Sequence, residues 1–393
     1  MTPKDLFLVA DQWGPQSSGM GVYAYQVARR LPALLRREGF NVTVAVRKDA
    51  PGLADEVREG GGTVIPLLAN SAATRRKLQE IYFWLPLQSR GWNCYYSLDH
   101  KLPARTLLPR YRVATVHDIC PLEFPGEYGM LKRFYFNLQL PKVMRTASCI
   151  VTVSDHTAHK LVNVLHADRA RVVVSTNGFD TKQFSTQADP NEAAKLFAAY
   201  GLEPNTYHLF VGRLSPRKNL SLVIEAARRL KERGGEPRVV LAGPRGWGAE
   251  GDWARIQECG LEHSFPKIDY VPFELLPALY RQSRGLVYPS FSEGFGIPVL
   301  ESLACGSPVV VARGTSCAEI GGPLVDAIDP HDVEALVQWM QNDHILDEAV
   351  RRDWLAQFSW EKTAEGIASM LAPTLGALRA ECANWSDRAP KYN

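Results

Sequence analysis

Short apolar runs alternate with amphipathic helical stretches along most of the chain, and this alternation limits the fold more than any other feature. The run LFLVA at 6–10 is followed by a helical pattern from about 21 to 38 and then by VTVAV at 42–46. A strand that helices cover on both faces is apolar throughout, so the alternation predicts parallel sheets between layers of helices. Further strands are predicted at 113–118, 149–154, 172–174, 207–212, 238–243, 285–290 and 309–312.

The chain is predicted to form two domains. Its 393 residues exceed the usual size of one domain, and the segment 177–191 interrupts the alternation with turn residues and no periodic apolar face. We therefore expect an α/β protein with two doubly wound, Rossmann-like parallel-sheet domains over 1–180 and 200–365, followed by a C-terminal helix or tail over 366–393. Ligands of such sheets bind beyond the carboxyl ends of the strands, which predicts a site in a cleft between the domains.

The composition, with 46% hydrophobic and 22% charged residues, is that of a globular protein. No apolar run approaches the roughly 18 residues that span a bilayer, and the seven cysteines include no C-x-x-C pair. These features predict a cytoplasmic protein with reduced thiols and no structural zinc site. Residues 1–180 carry 23 Lys and Arg against 15 Asp and Glu, whereas residues 181–393 carry 22 against 27. The basic half can attract an anionic acceptor or a membrane surface, or be a solvated exterior; no nucleic-acid partner is expected.

The segment PSFSEGFGIPVLESLACG at 289–306 is the strongest indication of a ligand-binding site in the chain. It places Glu293 in a glycine-broken loop and Glu301 just inside the helix that follows. The two carboxylates can accept hydrogen bonds from hydroxyl groups, which suits a ligand such as a nucleotide sugar. An ordinary loop with a solvated Glu293 is the alternative. The N–H groups that can meet an anion at the helix N-terminus belong to three residues of the loop, Gly294, Phe295 and Gly296.

Two cations follow another predicted strand. Arg213 comes directly after 207–212, and Lys218 lies at the start of the next predicted helix, so both can reach one point above the sheet. Arginine forms bidentate hydrogen bonds with phosphate and lysine supplies a compact charge, which serves a leaving diphosphate without a metal. The chain has no H-E-x-x-H, G-x-S-x-G, P-loop or D-x-D motif. We expect phosphate binding with no metal and no cofactor, with a solvated basic loop as the alternative.

Two further features follow predicted strands of the first half. The residues from Gly19 to Ala24 match the dinucleotide fingerprint G-x-G-x-x-A, but about eight residues separate them from the first strand, so the loop is too long for a pyrophosphate-binding turn. A flexible flap at a helix N-terminus fits better, and a glycine turn needed only to enter the helix is the alternative. His117 and Asp118 close the strand VATVHD, where the imidazole of His117 or its backbone carbonyl can contact a sugar hydroxyl; a purely structural histidine is the alternative. Asp118 can orient His117 or hold part of the acceptor.

Two segments raise the question of membrane contact. Residues 73–92 and 130–145 mix Arg and Lys with Tyr, Phe, Trp and Leu. Helices of this composition lie in a membrane interface, and they also occur as core-facing helices of a doubly wound domain. Both interpretations stay open at the level of sequence.

With these residues in hand, the chain resembles the group-1 family of retaining glycosyltransferases with the two-domain GT-B fold, close to its bacterial mannosyltransferases. The resemblance extends over nearly the whole chain. It rests on GMGVYAYQVARRL, TVHDICPLEFP, CIVTVSDHTAHKLV, STNGFD, FVGRLSPRKNL and above all YPSFSEGFGIPVLESLACGSPVV, which holds the two glutamates of the family signature, Glu293 and Glu301.

The resemblance implies roles for the donor-side residues. Arg213 and Lys218 would hold the donor diphosphate, and Glu301 would hold the ribose hydroxyls. Glu293 would bind the sugar together with the backbone amides of 294–296.

The resemblance also implies roles elsewhere in the chain. His117 would face the transferred sugar, Gly19 and Gly21 would form a mobile N-terminal loop, and the C-terminal helix would cross back onto the N-terminal domain. The sequence around Glu319 departs from the family pattern, so no role is assigned to that glutamate.

The implied activity is transfer of a hexose, in the first place mannose from GDP-mannose, onto a cell-surface or lipid-linked glycan such as the O-antigen of lipopolysaccharide. The expected partners are the nucleotide-sugar donor, the glycan acceptor and, through the basic N-terminal domain, the inner face of the membrane. An epimerase or hydrolase of nucleotide sugars on the same fold is an alternative. A scaffold of a polysaccharide assembly complex and a nicotinamide dehydrogenase based on the N-terminal glycines are others.

Overall fold

The structure, a computed structural model, describes residues 4–11, 19–68, 79–187, 194–246 and 248–388. Two separate parallel sheets confirm the predicted α/β class with two doubly wound domains. The strands of the N-terminal sheet are β1 Leu6–Ala10, β2 Val42–Arg47, β3 Thr63–Leu67, β4 Cys94–Ser97, β5 Tyr111–Val116, β6 Cys149–Thr152 and β7 Val172–Val174. Those of the C-terminal sheet are β8 His208–Val211, β9 Val239–Ala242, β10 Lys267–Ile268, β11 Gly285–Tyr288, β12 Val309–Ala312 and β13 Val325–Ile328.

Helices connect these strands. Those of the N-terminal domain are α1 Gly19–Arg37, α2 Pro51–Glu59, a π-helical turn Glu80–Trp84 that continues into α3 Leu85–Gln88, α4 Cys120–Glu123, α5 Met130–Thr146 and α6 Asp155–Asn163. Those that follow are α7 Ala194–Tyr200, α8 Leu220–Glu232, α9 Glu250–Glu258, α10 Leu276–Arg281, α11 Ile297–Ala304, α12 Ser316–Gly321, α13 Val333–Gln341, α14 Glu348–Leu355 and α15 Trp360–Arg388. Short 3₁₀ turns include Pro125–Glu127 and Pro216–Lys218.

Alternation of side chains along β1 explains why its apolar run predicted a strand, whereas β3, β4, β10 and β13 were not predicted. Leu6 and Leu8 join one buried cluster together with α1 side chains such as Val27. Phe7 joins a second cluster together with α5 side chains such as Val143. Since successive side chains of a strand point to opposite faces, both faces of this strand are covered and every residue in it must be apolar.

The strand orders place a crevice in each domain. The N-terminal sheet has the order β3-β2-β1-β4-β5-β6-β7 and the C-terminal sheet the order β10-β9-β8-β11-β12-β13. In each sheet the connections reverse direction once, between β1 and β4 and between β8 and β11. Ligands of such sheets bind beyond the carboxyl ends of the strands at this reversal point, and these edges of the two sheets line a common cleft.

The last helix returns to the N-terminal domain. Ile367 and Leu371 of α15 are buried in the cluster that also contains α1 side chains, and Arg379 donates from Nε to Asp5 Oδ1 at 3.0 Å. Helix α15 begins at Trp360, so the expected boundary at 366 falls inside one helix.

Candidate active site

A cleft of about 890 Å³ lies between the two domains at the carboxyl ends of their strands. Every functional residue expected from the sequence lines it except Gly21, which is buried in α1. The N-terminal domain contributes Gly19, Met20, Gln26, His117 and Asp118, among others, and the C-terminal domain contributes Arg213, Arg217, Lys218, Glu293, Gly294, Phe295, Gly296 and Glu301.

The loop before α11 has the predicted form. Gly296 is the residue before the helix and has a φ of 103°, a left-handed conformation that favours glycine. Pro298 lies in the first turn, and Gly306, with a φ of 79°, follows the helix end. Phe295 is buried and its ring packs edge-on to Phe358, with ring centroids 6.1 Å apart. The N-terminus of an eight-residue helix therefore faces the cleft.

Glu293 is held by two cations from a single turn. Its Oε1 lies 2.6 Å from Lys218 Nζ and 2.7 Å from Arg217 Nη1. Lys218 Nζ also donates to the Tyr288 hydroxyl and lies 4.1 Å from the centroid of that ring. Lys218 was predicted at the start of a helix. It lies at the end of the 3₁₀ turn Pro216–Lys218, two residues before the first residue of α8.

Burial and charge act against each other in this cluster. Burial favours the neutral form of Glu293, but the positive charges of Lys218 and Arg217 prevail and lower its pKa to about 2. Burial lowers the pKa of Lys218, and the Glu293 carboxylate partly offsets that effect. Glu293 is therefore an anion at every physiological pH, and its negative charge is neutralised before any ligand binds.

Arg213 lies at the open side of the cleft, in the loop after β8. Its side chain is exposed, and its stem passes over Gly246, where a Cβ would lie 2.8 Å from Arg213 Cγ. Within the described residues, Arg213 forms no ion pair with a carboxylate, in contrast to Lys218 and Arg217. Its charge is free to meet an anionic ligand.

Glu301 has a less polar environment than Glu293. Its side chain lies in α11 and is almost fully buried, and its Oε2 accepts a hydrogen bond from the Tyr280 hydroxyl at 3.0 Å. Burial raises the pKa of Glu301 to about 7; the Tyr280 hydrogen bond opposes this effect, and the charge of Asp180 adds to it. The two glutamates, eight positions apart, thus differ in charge state near neutral pH.

His117 follows β5 and is oriented by the N-terminal domain. Its Nε2 lies 3.0 Å from the carbonyl oxygen of Leu98, which can only accept, so Nε2 carries the proton. The ring packs edge-on to Tyr23 at 4.7 Å, and burial lowers the pKa of His117. The neutral imidazole keeps Nδ1 as an acceptor. Asp118 Oδ1 accepts from the N–H of Cys120 at 2.9 Å, and the role of Asp118 toward the ring or the acceptor stays a prediction.

At Gly294 the backbones of the two domains are in direct contact. A Cβ on this residue would lie 2.2 Å from the backbone oxygen of His117. Its carbonyl oxygen accepts hydrogen bonds from Ser154 Oγ at 2.7 Å and from Thr157 Oγ1 at 3.2 Å. The glycine at this position therefore permits direct backbone contact between the domains, in addition to any role of its N–H.

Gly19 and Gly21 lie in a helix and not in the predicted flexible loop. Helix α1 already begins at Gly19, and Gly21 is buried in its first turn. The apolar face that carries Tyr23, Val27 and Leu31 extends the helix back over both glycines. A Cβ on Gly19 would lie 3.9 Å from Ile297 Cδ1, so this end of the helix borders the donor-side loop. Residues 12–18 of the predicted flap lie outside the described residues.

Two charged residues of this region were not predicted to have a role in the site. Arg217 pairs with Glu293 as described, and Glu319, to which no role had been assigned, accepts from the N–H groups of Asp155 at 2.9 Å and His156 at 2.7 Å. Glu319 thus contacts the N-terminus of α6 in the other domain, where a carboxylate is favoured by the helix dipole. The adjacent cations in SPRKNL were the available signal for Arg217, whereas the Glu319 contact joins residues far apart in the chain.

Comparison with known proteins assigns the family. Residues 17–183 match the model of Glycosyltransferase Family 4, and residues 194–357 match that of Glycosyl transferases group 1. The chain is 32% identical over 274 residues to O-antigen chain mannosyltransferase B of Escherichia coli, an alignment that covers 68% of this chain and 71% of that protein. The chain therefore belongs to the family of group 1 glycosyl transferases.

Two further comparisons concern a curated relative and a solved structure. A D-inositol 3-phosphate glycosyltransferase of Salinispora tropica is 29% identical over 272 residues, with coverage of 62% of this chain and 55% of that one. The structure of Anabaena HepE in complex with UDP and glucose superposes with a TM-score of 0.62 at 19% identity, over 97% of this chain and 99% of that one, which shows the shared fold. Among the described helices, none is long and apolar enough to cross a bilayer.

Proposed function

We propose that the protein is a retaining hexosyltransferase that moves mannose from GDP-mannose onto a lipid-linked or cell-surface glycan. The observation that carries the proposal is the cleft in which Glu293 and Glu301 lie beside Arg213 and Lys218 at the N-terminus of α11. Mannose as the sugar and a polysaccharide as the acceptor are supported by the relative named O-antigen chain mannosyltransferase B. The relatives named for inositol phosphate make that compound the competing acceptor.

The cationic residues of the cleft contact the diphosphate, and the anionic and neutral ones contact the sugar. Arg213 and the N-terminus of α11 meet the negative charge that grows on the leaving diphosphate. Lys218 adds a second cation, and Glu293, held in place by that lysine, accepts hydrogen bonds from the sugar hydroxyls. Neutral His117 accepts a further hydrogen bond from the sugar. Because Glu293 and His117 are already held by protein partners in the cleft as the structure shows it, these two groups need little reorganisation during the reaction.

Retention requires the acceptor hydroxyl to attack from the face that the diphosphate leaves. A phosphate oxygen takes the proton of that hydroxyl as the bond between the anomeric carbon and the donor phosphate breaks. The close contact between Gly294 and His117 narrows the cleft and excludes water, which limits hydrolysis of the donor. We further propose that the cations replace a metal ion in this step; transfer that stops in EDTA and returns with Mg²⁺ or Mn²⁺ would contradict this part.

The proposal is tested by incubating the protein with radiolabelled GDP-mannose and lipid-linked glycan extracted from membranes. We expect label in the glycan, with the anomeric configuration of the donor by NMR spectroscopy. Rapid consumption of the donor without acceptor would instead favour an epimerase or a hydrolase. Transfer to inositol 3-phosphate in place of the glycan would reassign the acceptor.

Donor affinity is expected to rise with pH because of Glu301. We propose that the ribose hydroxyls donate to the Glu301 carboxylate, so donor binding requires the ionised form of Glu301. The pKa of Glu301 in the protein without donor is about 7. Below that pH a proton must leave before the donor binds. The dissociation constant for GDP-mannose should therefore be about tenfold higher at pH 6 than at pH 8. Calorimetry at both pH values measures it. Glu301→Gln should remove the pH dependence, and an unchanged dependence in that variant would contradict the role.

An exposed apolar face supports membrane contact, which we include in the proposal. On α5, Leu131 is 88% exposed and Phe134 65%. The neighbouring turn Glu80–Trp84 exposes Phe83 and Trp84 and is joined to α5 by the hydrogen bond between the hydroxyls of Tyr82 and Tyr135, at 2.6 Å. Helix α5 carries four basic residues and no acidic one, Lys132, Arg133, Lys142 and Arg145. Aromatic and aliphatic side chains beside basic ones suit the interface of an anionic bilayer.

The double variant Leu131→Ser/Phe134→Ser is expected to lower binding to vesicles that contain phosphatidylglycerol by about tenfold or more, because two large apolar side chains no longer insert. Cosedimentation measures the bound fraction. Ile345→Ser is the matched control, since Ile345 is 96% exposed but lies in the C-terminal domain. If both variants bind vesicles equally, this face is not the membrane contact.

A further inference from the structure

Arg217 contacts carboxylates of both domains at once. Its Nη1 lies 2.7 Å from Glu293 Oε1, and its Nε lies 3.3 Å from Oε2 of Glu127, which belongs to the 3₁₀ turn Pro125–Glu127 of the N-terminal domain. The backbone N–H of Arg217 donates to Glu127 Oε1 at 2.6 Å, and Nη1 donates to the carbonyl oxygen of Ser292 at 3.1 Å. One guanidinium therefore lies between a carboxylate of each domain.

The three side chains are largely shielded from water. Glu127 is 8% exposed, Glu293 13% and Arg217 21%. Although burial opposes its charge, Glu293 raises the pKa of Arg217 above its usual value. The planar guanidinium presents several N–H groups in fixed directions, so it can serve two carboxylates together, which a lysine ammonium does less well. The bridge is thus a buried, geometrically defined contact and not a surface ion pair.

The bridge also connects to the backbone of the donor-side loop. Phe291 lies two residues before Glu293, and its N–H donates to the carbonyl oxygen of Arg217 at 2.8 Å. A displacement of Arg217 therefore acts on this loop through its backbone as well as through the Glu293 side chain.

We propose that Arg217 is a positioning residue that makes the orientation of Glu293 depend on closure of the cleft. The inference rests on the proposed function, in which Glu293 faces the transferred sugar. In the closed cleft Glu127 occupies the Nε side of the guanidinium, and Nη1 holds Glu293 in place. When the cleft opens, Glu127 leaves with the N-terminal domain and the guanidinium loses one of its two carboxylates. Glu293 then reaches its working orientation only where water is already excluded, which favours transfer over hydrolysis.

Glu127→Gln tests this coupling. The amide keeps the size of the side chain and can still accept from the N–H of Arg217, but the charge that faces Nε is lost. With GDP-mannose as the probe, the dissociation constant measured by calorimetry should stay within about twofold of wild type, because Glu127 contacts no residue assigned to the diphosphate or ribose. We expect the turnover number for transfer to fall about tenfold, a typical effect between interacting neighbours. The share of donor lost to hydrolysis should rise.

The same change in a Glu293→Gln background separates positioning from a general structural role. If Glu127 acts through Glu293, Glu127→Gln should cause no further loss of rate in that background. Glu361→Gln is the control. Glu361 lies in α15 and pairs with Arg30 of the N-terminal domain at 2.7 Å, away from Arg217 in the chain. The turnover number of this variant should be that of wild type.

Two results would overturn the inference: wild-type turnover and hydrolysis in Glu127→Gln, or an equal loss of rate in both backgrounds. Donor binding by the wild-type chain reports on the proposed function alone, whereas the ratio of variant to wild-type rates reports on the coupling.

Discussion

Replacement of Lys218 by methionine is expected to lower the rate of sugar transfer by on the order of 10²- to 10³-fold, the usual effect of removing one charge-stabilising donor from an active site. Methionine keeps most of the buried volume but removes the cation that lies 2.6 Å from Glu293. The loss has two sources. The departing diphosphate meets one positive charge fewer, and the Glu293 carboxylate keeps Arg217 but loses the other of its two described cations. Initial rates with labelled donor measure the effect.

A control is needed because Lys218 is buried, with 4% of its surface exposed. Circular dichroism and thermal unfolding establish whether the variant folds, and rates are compared at a temperature where it is folded. Lys231→Met, an exposed lysine of α8, should transfer at the wild-type rate. A folded Lys218→Met variant that retains more than one tenth of the wild-type rate would contradict the role assigned to this lysine.

Gly294→Ala is expected to lower transfer by about 10²-fold, because a displacement of about 1 Å in the reacting geometry has effects of this size. The added Cβ would lie 2.2 Å from the backbone oxygen of His117 and 3.3 Å from Asp118 Cβ. A backbone oxygen cannot rotate away as a flexible side chain can, so the domains must move apart. Donor affinity should fall much less than turnover, since Arg213 and Glu301 lie in the C-terminal domain.

Gly251→Ala is the matched control for this change. Gly251 lies in α9, and among the described residues no atom outside the neighbouring helix backbone lies within 4 Å of the Cβ that alanine would add. We expect wild-type transfer and a gain in stability of roughly 0.5–1 kcal/mol, because glycine is unfavourable inside a helix. Wild-type turnover by Gly294→Ala would show that the reaction does not need the close approach seen between the domains.

The fold could be predicted from the sequence because strands covered on both faces must be apolar throughout. LFLVA, VVV at 172–174 and VVVA at 309–312 coincide with β1, β7 and β12. The helix N-terminus before Glu301 was also predictable, since Gly296 and Pro298 have strong local preferences. These features depend on neighbours in the chain and on burial, which a sequence pattern records.

The rest of the site depends on contacts between distant segments. Glu127 and Glu319 each bind a group in the other domain, and no local pattern records that proximity. The role of Gly294 in the domain contact arises in the same way, because the atom that would clash belongs to His117. A glycine in a sequence usually predicts a turn. At Gly294, however, the backbone of the opposite domain leaves no space for a side chain.

The start of α1 shows a different limit. Gly19 and Gly21 suggested a flexible loop because glycine is a weak helix former. The buried face of Tyr23, Val27 and Leu31 outweighs that preference, so the helix includes both glycines. Packing against the sheet decided the conformation, and propensity did not.

We propose that the cleft is a donor site in which protein cations hold the diphosphate. Calorimetric titration with GDP-mannose in the presence of EDTA, on the wild-type chain and on Arg213→Ala, tests it most directly. Arg213 is exposed, so its loss should not disturb the fold. We expect saturable binding by the wild type and affinity about tenfold weaker in the variant, as expected for a charge-assisted hydrogen bond to phosphate. Equal affinity of the two proteins, or no binding by the wild type, would contradict it.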